Sequence, residues 1–124
     1  MLEETNKLWK LADRRTGMNI LICDDEGFAA EKIVKLVSHS AVQHHLAVSV
    51  VKYTDVEKCL ASPLNQCDIA FFDIDMKPYN GIDLARKLHN ENPNAIIIFV
   101  TNYIEYAPAG YEAVSYTHLR AHET

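Results

Sequence analysis

Short, mainly apolar segments are the feature that most constrains the fold of this chain. They occupy residues 19–23, 46–51, 68–72 and 95–100, and the longest run without a polar residue, Ala95–Val100, has six residues. Runs of this length that lack polar alternation are typical of strands buried on both faces. Helical spacing of apolar residues separates them, as in Ile33, Leu36 and Val37. The pattern predicts an α/β fold with a doubly wound parallel sheet and helices on both faces.

The helices between these strands have recognisable boundaries. The first is predicted from Phe28 to Val37, with a break over residues 38–45. Asp55 is expected to cap a short helix that ends near Leu60, since a side-chain oxygen at this position can accept from free backbone amides. A third helix, marked by apolar residues within 84–88, is expected to end in the polar stretch 90–94.

The two ends of the chain do not follow this pattern. Residues 1–17 are interpreted as an N-terminal extension, with a partner-binding helix as the alternative because Leu8, Leu11 and Ala12 have helical spacing. The folded domain is expected to cover residues 18–113, and residues 114–124 form an atypical tail that we expect to be non-native. The final strand and helix of the fold are therefore expected to be missing, which predicts low stability, aggregation or a homodimer.

Composition excludes several function classes. A net charge of −5 and a pI of about 5.6 disfavour direct binding to nucleic acid. No apolar run approaches the roughly 20 residues that span a bilayer, and the charged N-terminus lacks a secretory core, so we expect a cytoplasmic protein with no membrane association. Three cysteines without CxxC spacing indicate reduced, buried or half-buried thiols.

The chemistry-bearing residues follow the predicted strands. Asp24 and Asp25 come after the first strand, Asp73 and Asp75 lie at the end of the third, and Thr101 ends the fourth. Ligands bind parallel sheets beyond the carboxyl ends of the strands, so these groups are expected to share one pocket. Crowded carboxylates repel one another unless a hard cation lies among them, which predicts a Mg²⁺ site.

A carboxylate beside Mg²⁺ can act as a nucleophile toward phosphorus, and Asp73 is the candidate. The hydroxyl of Thr101 could hold a phosphoryl oxygen. The simpler alternative is that each acid only ends its strand or caps the following helix.

Three strings carry a family resemblance: NILICDDE, DIAFFDIDMKPYNGIDLARKLH and NAIIIFVTNYIEYA. In this order and spacing they resemble the receiver domain of two-component response regulators, particularly those that precede a LytTR-type DNA-binding domain. The resemblance implies a flavodoxin-like fold in which Asp24, Asp25, Asp73 and the backbone carbonyl of Asp75 hold Mg²⁺. It implies that Asp73 accepts the phosphoryl group and that Thr101 is the switch hydroxyl.

The resemblance also implies partners and a role. A sensor histidine kinase would supply the phosphoryl group, and the receiver would control an output domain, a transcriptional one, that is absent from this chain. The protein would act as a signalling module and not as an enzyme.

Two departures stand beside the resemblance. No lysine is found at the end of a fifth strand, where the family places one to pair with the phosphoryl group; in register, Ala121 occupies that position and His118 that of the switch aromatic. The string VSYTHLRAHET resembles a translated sequencing-adapter sequence. The missing lysine leaves a phosphorylation-independent receiver-like interaction module as an alternative. A less favoured alternative is a haloacid-dehalogenase-type phosphatase that uses Asp73 and Asp75 as its DxD motif.

Overall fold

The computed structural model describes residues 17–101 and 112–116, with only the backbone described for Thr101 and for 112–116. The strands are β1 (Met18–Cys23), β2 (Val48–Tyr53), β3 (Ile69–Asp73), β4 (Ile96–Thr101) and β5 (Glu112–Tyr116). The helices are α1 (Gly27–Gln43), α2 (Val56–Leu60) and α3 (Gly81–Glu91), with a 3₁₀ turn at Leu64–Gln66.

The strands form one sheet in the order β2-β1-β3-β4-β5. The pairs β1–β2, β1–β3 and β3–β4 are parallel, and β1 lies between β2 and β3, where Leu21 pairs with both Val51 and Ala70. This order reverses direction after β2, as in flavodoxin-like folds. The predicted doubly wound α/β class is confirmed.

Strand β5 differs from the sequence prediction. No fifth strand was expected from the closing residues, yet Glu112–Tyr116 pairs with β4 in the antiparallel direction. An antiparallel strand needs no crossover helix, so a connection of ten residues after Thr101 is enough to return the chain. Within the described residues no parallel fifth strand or helix after it is present.

The sheet separates two apolar clusters. On one face, α1 packs Ile33 and Val37 onto β1, β3 and β4. On the other, α2 and α3 pack Val56, Leu84 and Leu88 onto the same strands. Because successive strand residues point to opposite faces, neighbouring phenylalanines of β3 enter different clusters. These two layers fix the strand ends that carry the acids.

Helix α1 is longer than predicted. The expected break over residues 38–45 is wrong, because the helix continues to Gln43. Ser40 and Ala41 are buried and extend the stripe begun by Ile33 and Val37. A small hydroxyl residue such as Ser40 can lie within the apolar face of a helix. The polar character of residues 38–45 was therefore a poor guide to where α1 ends.

The predicted cap of α2 is confirmed. Asp55 Oδ1 accepts from the backbone amides of Glu57 at 2.9 Å and Lys58 at 3.3 Å. Helix α3 begins with a capping box in which Asn80 and Asp83 exchange side-chain to backbone hydrogen bonds. In the described part of the chain, no helix is long and apolar enough to span a bilayer.

Candidate phosphoryl-acceptor and metal site

Three of the predicted acids meet at the carboxyl edge of the sheet. Cys23 of β1 pairs with Phe72 of β3. Asp24 and Asp73 are the residues that follow these two in the chain, so they lie side by side at the carboxyl edge of the sheet. One carboxylate oxygen from each of Asp24, Asp25 and Asp73 lies within 4.8 Å of the others. Two adjacent parallel strands therefore bring together acids that are 49 residues apart in the sequence.

Asp24 is the most enclosed of the three, with 3% of its surface exposed. Its Oδ1 accepts from the backbone amide of Glu26 at 3.0 Å, and its own amide donates to the carbonyl of Tyr53 at 3.1 Å. Burial raises the pKa of Asp24, the Glu26 amide partly opposes this, and the charge of Asp25 adds to the increase. The Glu26 amide therefore holds the Asp24 carboxyl group in place.

Asp73 lies at the tip of β3 and is partly buried. Its pKa is raised to about 7, first because burial disfavours the charged form and then because the Asp24 carboxylate is close. The backbone amide of Asp75 donates to Asp73 Oδ1 at 3.4 Å, a long hydrogen bond that opposes the increase. The arrangement favours a cation beside Asp73.

The loop after Asp73 is fixed from two sides. Met76 is 3% exposed and places its sulfur 3.9 Å from the Cys23 sulfur. The amide of Gly81 donates to the carbonyl of Ile74 at 3.0 Å. Asp75, exposed in this loop, is held near Asp73 through its amide; the use of its carbonyl as a metal ligand stays a prediction.

The structure describes only part of the predicted phosphoryl contact. Asp73 pairs with Val100, so the backbone of Thr101 follows at the same edge of the sheet, but its side chain lies outside the described residues. His118 and Ala121 also lie outside them. Within residues 17–101, no lysine or arginine forms a salt bridge with any of the three clustered carboxylates.

The donor set fits Mg²⁺. All three clustered side chains offer carboxylate oxygen, the ligand that this hard cation prefers, and one of them is exposed enough to leave room for retained water. Burial and the nearby Asp24 carboxylate raise the pKa of Asp73, and a divalent cation beside it would offset both effects.

Sequence reasoning missed two residues that position this site, Met76 and Gly81. A methionine inside a polar loop gives little signal, because burial of its thioether depends on the distant Cys23. Gly81 directly follows the capping residue Asn80, and the local sequence gives no signal of the close approach of this helix start to Asp73.

Comparison with known families agrees with the fold. The family described as "Response regulator receiver domain" matches residues 20–119. The chain belongs to this receiver family, which also separates it from the haloacid-dehalogenase alternative.

The relatives lie among sensory regulators. The chain is 35% identical to the sensory transduction protein LytT of Enterococcus faecalis over 91 residues, which cover 73% of this chain and 36% of that protein. It is 35% identical to the sensory transduction protein LytR of Streptococcus agalactiae, over 77% of this chain and 39% of the relative. It is 30% identical to the transcriptional regulatory protein LytR of Staphylococcus aureus, over 77% of this chain and 37% of the relative. The chain thus spans less than half the length of these relatives.

Two solved structures resemble the fold. A CheX-CheY-BeF3-Mg complex from Borrelia burgdorferi gives a TM-score of 0.57 at 21% identity, covering 70% of this chain and 63% of that one. A response regulator receiver domain protein from Clostridium thermocellum gives a TM-score of 0.56 at 20% identity, and the match covers 75% of this chain and 76% of that one.

Proposed function

We propose that this receiver domain accepts a phosphoryl group on Asp73 while Asp24, Asp25 and Asp73 hold Mg²⁺, with the Asp75 carbonyl as a further ligand. The observation that carries the proposal is the meeting of three carboxylates within 4.8 Å at the carboxyl edge of the sheet. A receiver-like structure whose title names Mg and BeF3 adds support by similarity of fold.

The step transfers one phosphoryl group. An Asp73 carboxylate oxygen attacks phosphorus, and the phosphorus–nitrogen bond of a donor phosphohistidine breaks. The ring nitrogen keeps the bonding pair and leaves as neutral imidazole, protonated on its other nitrogen. Bound Mg²⁺ supplies charge neutralisation for the carboxylates and the incoming oxygens. The Asp75 amide orients the Asp73 side chain, and the Thr101 hydroxyl holds one phosphoryl oxygen.

The donor is a sensor histidine kinase, and the receiver controls a transcriptional output domain in the cytoplasm. The names of the similar regulators, which include sensory transduction and transcriptional regulatory proteins, support this setting. In this role the chain accepts a group and signals; it does not turn over a substrate as an enzyme.

A second candidate is a receiver-like interaction module that works without phosphorylation. It is favoured by one observation, that no lysine or arginine within residues 17–101 forms a salt bridge with the acid cluster. If none of the described lysines or arginines moves to it, a phosphoryl group at Asp73 has no partner cation among residues 17–101 other than the metal.

The test exposes the full chain to acetyl phosphate and Mg²⁺ and measures the intact mass under conditions that preserve acyl phosphates. We expect a phosphoryl mass gain that is lost in Asp73→Asn and when Mg²⁺ is omitted. Asp83→Asn is the matched control, because Asp83 is an exposed capping residue outside the cluster. No gain in a sample with a folded circular dichroism spectrum would contradict the proposal and favour the phosphorylation-independent module.

We also propose that the chain forms a homodimer, because a sheet that ends in the short strand β5 presents an edge. Light scattering after size exclusion would give twice the mass of one chain. A monomer at all concentrations would contradict this.

A further inference from the structure

A groove of about 270 Å³ lies on the α2 face of the sheet. Its floor contains two pairs of neighbouring strand residues, Asn19 with Ser49 and Leu21 with Val51. The wall is lined by Ser62, Pro63, Gln66 and Cys67. The groove therefore runs along β1 and the edge strand β2.

The groove exists because α2 is too short to cover these strands. The helix has five residues and ends at Leu60, and the chain then returns through the 3₁₀ turn at Leu64–Gln66. Deeper in the sheet Leu21 is only 6% exposed, but Val51 on the edge strand is 48% exposed. The aliphatic side chain of Val51 is thus exposed to solvent beside the buried side chain of Leu21.

We propose that this groove is covered by the N-terminal segment, residues 1–16, through the side chains of Leu8 and Leu11. The segment lies outside the described residues, but the point where it joins the fold is described. Gly17 precedes β1, and Asn19, two residues later, lines the groove. The segment therefore enters the fold at one end of the groove.

The segment is long enough to follow the groove. The six residues from Leu11 to Gly17, the last residue before β1, can span up to about 20 Å when extended. A six-residue strand such as β2 is about 20 Å long. Leu11 can therefore reach any point along the floor, and Leu8 can lie beside it at helical spacing.

The size of the groove agrees with an occupant made of a few side chains. Its volume lies just below the roughly 300–1,000 Å³ of small-molecule pockets. Two leucine side chains suit the apolar part of the floor, Leu21 and Val51, while Ser49, Ser62 and Gln66 offer polar atoms to the backbone that carries these leucines. This inference is independent of phosphoryl transfer at Asp73.

The first test uses the unaltered full chain. Isotope-edited NMR should give nuclear Overhauser contacts between the Val51 methyl groups and the methyl groups of Leu8 or Leu11. Their absence in well-resolved spectra would overturn the proposal. Contacts found only in mixed samples of differently labelled chains would show that a second copy supplies the segment, which also overturns docking within one chain.

The second test uses Trp9, the single tryptophan of the chain, as a reporter. Acrylamide quenching of Trp9 should increase severalfold in Val51→Asp, because a buried charge expels the segment from the groove. Val42→Asp is the matched control, since Val42 is 72% exposed on α1 away from the groove, and quenching should not change. Equal quenching in all three proteins would contradict docking.

Discussion

Gly81 packs so closely against Asp73 that a Cβ atom at residue 81 would overlap the backbone carbonyl oxygen of Asp73 and lie 2.9 Å from its carbonyl carbon. Gly81→Ala must therefore shift the start of α3 or the tip of β3. We expect a loss of about 1–3 kcal/mol in the free energy of unfolding. Urea denaturation measures the loss.

Gly27 provides the control for this change. It begins α1, and a Cβ atom built on it meets nothing within 4 Å. Gly27→Ala should leave stability unchanged or raise it by up to about 1 kcal/mol, because alanine restricts the unfolded chain. Equal effects of the two substitutions would refute the role given to the Gly81 contact.

The acid cluster should make stability depend on pH. The pKa of Asp73 is raised from 3.8 to about 7, so between these values the folded state binds more protons than the unfolded state. Stability contributed by the protonated carboxyl is present below pH 4 and is lost as pH rises toward 7. Discounted for partial exposure, the loss is on the order of 2 kcal/mol.

Urea titrations of the metal-free chain at several pH values test this. The decline in stability between pH 4 and pH 7 should be smaller in Asp73→Asn, which carries no charge at that position. Asp24 contributes in the same direction, since its pKa is also raised. Identical pH profiles for the parent and Asp73→Asn would show that Asp73 titrates normally.

Mg²⁺ should stabilise the folded chain near neutral pH by binding the three carboxylates. At a concentration about 100 times the Kd, we expect an increase of about 2.7 kcal/mol in the free energy of unfolding. Asp24→Asn should remove most of this gain, because it takes one charge from the cluster. Asp83→Asn should retain it, and thermal melts with and without MgCl₂ provide the measurement.

Asn92 joins the end of α3 to the turn before β3. Its Nδ2 donates to the carbonyl of Cys67 at 2.6 Å, with longer contacts to Leu64 and Asn65 at 3.3 and 3.4 Å. Asn92→Ala leaves the part-buried Cys67 carbonyl without this donor and should cost about 1–3 kcal/mol. Asn94→Ala, at an exposed position nearby, should cost little in the same denaturation assay.

The cysteine thiols should not react while the chain is folded. All three are free and buried, in agreement with the sequence prediction. Burial raises the pKa of Cys67 to about 12, and a hydrogen bond with Cys59, together with burial, raises the pKa of Cys23. A colourimetric thiol reagent should modify none of them in native buffer and all three in urea. Rapid modification of one thiol in the native protein would contradict the packing described for that residue.

The sequence alone determined the class of the fold and the acids of the site. Continuous apolar runs such as Ala95–Val100, which alternate with amphipathic segments, are typical of strands buried on both faces of a sheet, and acids placed after such strands meet wherever the strands are adjacent. Asp24, Asp25 and Asp73 could therefore be named before their distances were known. The function of Thr101 in the site stays a prediction.

Other features were decided only by tertiary contacts. The extension of α1 through Ser40 depended on the sheet that buries this residue, and the antiparallel direction of β5 depended on a free edge at β4. The restriction on Gly81 arises from the Asp73 carbonyl, eight positions earlier in the chain. Local sequence patterns record which residues prefer burial, but only the packed structure determines which distant atom each residue meets.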